Sequence, residues 1–204
     1  NEDLLVLTEG TTTEFAFKRT MHKDEYTSLC LPFALNKEVL AQMTDAEGNH
    51  VFDAQSGGAV PTIYIYDQNS TVVVDGNVEL QMSFHIMKDD EEIKAGVPFL
   101  IKPAEDITDK LYLESTYITK GESTESLEGE IEFASMWQPE TVNVSEEYDI
   151  LLVTGASQLT RMTESTRILG ASGYFKVPVG VAAYDYAVIN VTGSEATPTW
   201  VENI

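Results

Sequence analysis

The chain has 204 residues, 43% of them hydrophobic and 9% aromatic, enough to bury a substantial core. Its 34 acidic and 12 basic side chains leave a formal charge of −22, a field that repels phosphate backbones and anionic lipid and so argues against nucleic-acid partners and basic-patch membrane attachment. A lone cysteine excludes an internal disulfide framework and a cysteine zinc site, and no apolar run reaches the length of a membrane-spanning helix.

Strand patterns dominate from the start. Residues 14–18, EFAFK, alternate Phe15 and Phe17 with polar neighbours, the period of a half-buried strand. In YTSLCLPF, residues 26–33, Leu29 and Leu31 face one side and Cys30 the other, and Pro32, with no N–H to give a ladder, predicts the strand's end. LNKEVLAQM, residues 35–43, is the one helical stretch. Asn36 can cap it, and Leu35 can pack on Leu40 across the first turn.

TIYIY (62–66) is a further strand, and TVVVDGNVELQMSFHIM (71–87) reads as a hairpin turning at Asp75-Gly76, a dipeptide that tolerates the positive φ of a type I′ turn. On the second arm Val78, Leu80, Met82, Phe84 and Ile86 share one face, and Glu79, Gln81, Ser83 and His85 the other. KDDEEI (88–93) reads as a charged turn. Strands follow at 97–102, 111–118, 129–136, 149–154, 173–177 and 184–191, with Pro103 and Pro178 punctuating two of them as Pro32 does the first.

The pattern predicts an all-β protein, an antiparallel β-sandwich of jelly-roll-like or Greek-key type with one short helix near 36–43. Residues 1–204 read as a single domain, with a seam in composition near 105–128. Between Glu105 and Asp149 thirteen acidic residues stand against Lys110 and Lys120, which reads as a solvated face because no spaced calcium-loop motif accompanies it.

Candidate chemistry is sparse. Cys30 lies among apolar neighbours and reads as strand packing, since a reactive thiol needs a cationic or helix-terminal environment. His22, His50 and His85 lack the spacing that presents two ligands to one metal, and His85 is expected to face solvent. No nucleophile elbow, phosphate loop or dinucleotide fingerprint occurs. The expectation is therefore no catalytic residue, no metal and no cofactor. Two tyrosine pairs, Tyr64 with Tyr66 and Tyr184 with Tyr186, stand at i, i+2 and could form aromatic platforms for a sugar; the competing reading of such pairs is core packing.

YTSLCLPFAL (26–35), followed by AGVPFLIKPA (95–104), resembles the paired strand signature of secreted β-rich modules in surface proteins of Bacteroidetes, and ASGYFKVP (171–178) is similar to that family's closing strand. The resemblance runs from Tyr26 to Pro178. It implies an extracellular or outer-membrane-surface location, with the periplasm as the alternative, and membrane attachment only through an anchor outside this chain. It also implies no assigned catalysis; together with the strand-dense pattern and the lack of a catalytic constellation, the chain reads as a noncatalytic module for adhesion, assembly or recognition of a surface glycan or protein, with a glycan-binding module or a fimbrial, pilin-like subunit as alternatives.

Overall fold

The computed structural model describes residues 9–75, 77–119, 131–154, 158–179 and 186–192. In chain order the strands are β1 (Thr12–Lys18), β2 (Thr27–Cys30), β3 (Thr62–Asp75), β4 (Asn77–Ile86), β5 (Pro98–Lys102), β6 (Lys110–Tyr117) and β7 (Glu132–Met136). They continue with β8 (Glu140–Val142), β9 (Tyr148–Val153), β10 (Gln158–Arg161), β11 (Thr166–Ile168), β12 (Ser172–Pro178) and β13 (Tyr186–Val191). The protein is all-β. The helix α1 (Lys37–Ala41) sits where it was expected, with the Asn36 side chain accepting from the Val39 N–H at 2.9 Å.

Nine strands form one sheet in the order β2-β5-β3-β4-β13-β10-β9-β12-β7, and two ribbons, β1-β6 and β8-β11, accompany it. Its neighbours run antiparallel except β4 and β13, which are parallel. The long sheet doubles over on itself. Tyr66 of β3 and Phe84 of β4 meet Phe133 of β7 and Phe175 of β12 edge to face, with ring centroids 5.5 to 6.2 Å apart. Leu80, Met82, Leu100, Leu151 and Val177 fill the same layer and are wholly buried. The expected sandwich thus has two walls made from the two halves of one sheet, with β13 in the middle of the strand order.

The edge strand β2 is tied to the opposite wall, since Cys30 N–H donates to Ala171 O at 3.1 Å and Gly173 N–H to Ser28 Oγ at 3.4 Å. On the outer face of β2, β5 and β3 lies a second apolar layer. Leu29, Ile63, Phe99 and Ile101 point into it, and Phe15, Leu111 and Leu113 of the β1-β6 ribbon and Leu40 of α1 cover them. Strands buried on both faces lose the polar alternation. That is why LCL and FLI read as unbroken apolar runs while EFAFK, in the covering ribbon, alternates.

The prolines act as expected: β2 stops at Cys30, β5 stops before Pro103, and Pro178 is the last residue of β12. Two expected strands, 62–66 and 71–75, are one strand interrupted by a register slip between Tyr66 and Ser70, where Gln68 takes φ 52°. The turn residue Gly76 and residues 120–130 lie outside the described residues.

Gly173 of β12 sits in a close passage between its neighbour β7 and Pro98 of the opposite wall. A Cβ there would lie 2.6 Å from the Phe133 ring and 2.7 Å from Pro98 Cβ. Neither neighbour is a flexible side-chain end, so one added methyl must displace a strand. Gly173→Ala should destabilise the protein by about 1–3 kcal/mol, read in urea unfolding as a lower midpoint at unchanged slope.

Candidate functional site

Cys30 is wholly buried on the edge strand, facing away from the layer that holds Leu29 and Leu31. Burial pushes its thiol pKa up to about 12, against the opposing pull of a bond with Ser135 of β7. At neutral pH the sulfur is a protonated packing group.

The tyrosine pair of β3 is not an open platform. Tyr64 is 7% exposed and lies edge to face with Tyr26 at 5.1 Å, while Tyr66 packs into the Phe84, Phe133 and Phe175 rings. Both rings belong to the layer between the two walls, because their face of β3 is the one the sheet closes over. Tyr184 and the side chain of Tyr186 lie outside the described residues.

The histidines are tied to neighbours. His22 Nδ1 lies 3.8 Å from Asp106 at the surface, and His50 Nδ1 bonds to Ala41 O at 2.8 Å. His85 departs from the solvent-facing position expected for it. Its Nδ1 bonds to Asp67 and its Nε2 lies 2.9 Å from Glu91 Oε1. The rest of its face of β4 is also bonded rather than solvated: Gln81 donates to Glu79 at 2.6 Å, Asn190 of β13 donates to Gln81 at 3.1 Å, and Glu79 and Ser83 are buried. A neighbouring strand on each side crowds these side chains, which a period-2 pattern does not register.

A polar cleft of about 280 Å³ opens between the loop carrying residues 45–59 and the segment 105–111. Its loop wall is built by short-range bonds. Asp45 Oδ1 accepts from the N–H groups of Glu47 and Asn49 at 3.0 and 2.8 Å, and its Oδ2 from the Asn49 side chain at 2.9 Å. These bonds, the Asn49 side chain's first, hold the Asp45 carboxyl below its ordinary pKa. Asp53 caps a single 3₁₀ turn, Ala54–Ser56, which ends at Gly57 with φ 87°. Gly58 then passes so close to the chain that a Cβ would lie 2.6 Å from Val51 O.

The facing wall is fixed by the β1-β6 ribbon. Met21 and Ile107 exchange backbone bonds at 2.9 and 2.8 Å, Asp106 Oδ1 accepts from Lys23 N–H at 2.7 Å, and Thr44 and Tyr112 exchange bonds at 2.9 Å. The result is a rim of Asp45, Glu105, Asp106 and Asp109, with Asn49, His50 and Lys110 between them. Carboxylates so placed accept hydrogen bonds from cationic or hydroxyl-bearing groups. Among the described residues no three His, Cys, Asp or Glu side chains converge as a metal site.

Sequence reasoning saw the acidity of residues 105–109 but read it as a solvated face. The bonds that turn it into a wall join Thr44 to Tyr112 and Met21 to Ile107, pairings that no local pattern specifies. The available signal lay in QSGGAVP, residues 55–61, because consecutive glycines mark a close backbone approach. Compared with family models, with curated proteins and with solved structures, the chain finds no match.

The native thiol should be inert. At pH 8 a pKa near 12 leaves on the order of a thousandfold less thiolate than an unperturbed cysteine has. A colorimetric disulfide reagent should therefore label Cys30 only after urea unfolding. Rapid labelling of the folded chain would contradict its placement.

Proposed function

We propose that this protein is a noncatalytic recognition module of the cell surface or extracellular space, which engages a cationic segment of a protein partner in adhesion or assembly. The observation that carries the reading is the acid-rimmed cleft, whose carboxylates stand on hydrogen-bonded turns and on a strand ribbon backed by the core. A site held by bonded turns loses little freedom on binding, so charge complementarity translates into specificity and association rate. The sealed Cys30 and the tethered His50 and His85 support a role in holding rather than reacting. The sequence resemblance supports the surface location.

A glycan would meet the same carboxylates and Asn49 through its hydroxyls. It would do so without the rings of Tyr64 and Tyr66, which face the core. The fimbrial reading has an observation of its own: among the described residues β1 pairs with β6 alone, leaving one edge for strand addition by another chain. Concentration-dependent assembly in light scattering supports that reading, and a monomer at all concentrations opposes it.

The cleft reading is tested by fluorescence anisotropy with a labelled lysine-rich peptide. Glu105→Gln combined with Asp109→Asn removes two rim charges that, among the described residues, hold no backbone group. Affinity should fall roughly tenfold, whereas a charge-matched pair away from the cleft, Glu38→Gln with Asp90→Asn, should change it less than about twofold. Equal losses in the two variants would mean that net charge alone attracts the peptide, and the cleft would lose its assignment. A parallel glycan array reports whether a neutral sugar is held instead.

A further inference from the structure

We propose that Asp67, His85 and Glu91 form a protonation-gated latch that pins the C-terminal end of β13 and the 88–91 turn to the register slip of β3. The inference is independent of which partner the cleft binds. Its basis is the inventory of the imidazole ring. Nδ1 meets Asp67 and Nε2 meets Glu91 Oε1 at 2.9 Å, so a carboxylate oxygen stands at each nitrogen. A neutral imidazole carries one N–H and can serve one of them; the other would face a lone pair. Both contacts are satisfied only by the imidazolium.

Each carboxylate passes the tie to another element. Glu91 Oε2 accepts from Lys88 N–H at 3.0 Å, which closes the turn. The one hydrogen of Thr192 Oγ1 lies between Asp67 Oδ2 at 3.2 Å and Phe84 O at 3.1 Å, and Thr192 N–H donates to Phe84 O at 2.7 Å. Thr192 immediately follows β13, whose partners are unequal. Among the described residues, β4 pairs with it from Tyr186 to Val191, while β10 pairs at Ala187 and Val188. Past Val188 the ladder to β4 continues to Val191, and Thr192 then ties the strand's end to Phe84 and to Asp67 of β3.

The groups facing His85 set the direction of the response. Asp67 approaches from β3, and Glu91 and Lys88 from the turn; Gln81 and Ser83 on β4 and Asn190 and Thr192 on and after β13 are polar but do not titrate. Partial burial pulls the His85 pKa down, but the hydrogen bonds to Asp67 and Glu91 and their charges outweigh it and raise the value above 6.5. For Glu91, burial pushes upward, and the Lys88 N–H, the His85 bond and the two nearby cations outweigh it and bring the value below 4.5. A raised histidine stabilises the fold fully below 6.5 and stops doing so as pH climbs through its folded value; a lowered glutamate does so above 4.5 and stops as pH falls through its own. The latch is fully closed between those two reference values and opens on either side.

The test follows the His85 ring and the Thr192 amide by NMR in one pH titration of the whole chain. The His85 midpoint should lie above 6.5, and the solvent-exchange protection of Thr192, corrected for intrinsic rate, should fall about tenfold across it. His85→Gln should hold the weakened protection at every pH between about 6 and 9, and Glu91→Gln should lower the histidine midpoint. A midpoint at or below 6.5, a Thr192 amide indifferent to it, or an unchanged pH response in His85→Gln would each overturn the latch. Should that variant fail to fold, the wild-type titration alone decides.

Discussion

The fold depends on one contact between distant parts of the chain, the stacking of Phe133 on Phe175 against Tyr66 and Phe84. The two phenylalanines lie parallel, 7° apart in plane and 4.3 Å between centroids, and the other two rings meet them at steep angles. Without it the nine strands would be an open sheet with two edges. Bringing β3 and β4 onto β7 and β12 costs loop-closure entropy that grows slowly with the intervening length. Burying large rings contributes about 1.5–3 kcal/mol each, and their edge-to-face geometry adds to that. The narrow gap left beside these rings is the reason a glycine stands at 173.

From that contact the remaining layers follow. Closing the sandwich brings the inner faces of β2, β3 and β5 to the inner core and leaves their outer faces apolar as well. Those outer faces require a cover, which the β1-β6 ribbon and α1 supply. The ribbon in turn carries residues 105–111 and pairs with Thr44, so the cleft is a by-product of covering the second core. A polar site placed this way inherits the rigidity of two apolar layers, a property suited to presenting charges rather than to moving them.

Much of this was legible in the residues. Alternation located β1 and β4, apolar runs ending in proline located β2 and β5, and the Asn36 cap located α1. The strands β8, β10 and β11 were not legible, because ETV, QLTR and TRI are too short and too polar to carry a period. Nor was the parallel pairing of β4 with β13, which no turn chemistry dictates. Tyr64 and Tyr66 illustrate a different limit. Alternation put them on one face of β3, as the structure does, but Ile63 and Ile65 on the other face are apolar too, so the pattern could not say which face the sheet would close over. His85 likewise lay on the expected face, while its partners, Asp67 across the hairpin and Glu91 in the charged turn, come into reach only through the register slip and the fold of residues 88–91.

The charge imbalance ties the cleft and the latch together. With 34 acidic residues against 12 basic ones, most carboxylates have no cation available, and ion pairs such as Arg161 with Asp149 at 3.0 Å and Lys176 with Glu132 at 3.2 Å serve few of them. The chain instead gives carboxylates backbone N–H groups: Glu47 and Asn49 to Asp45, Gln55 to Asp53, Lys23 to Asp106, and Lys88 to Glu91. A carboxylate held by a turn keeps free lone pairs, and its orientation is set by the backbone rather than by a mobile lysine. At the cleft those lone pairs face solvent and can accept an incoming cation. Around His85 they converge on the imidazole ring, which makes the protonation of that ring a structural variable instead of a surface detail.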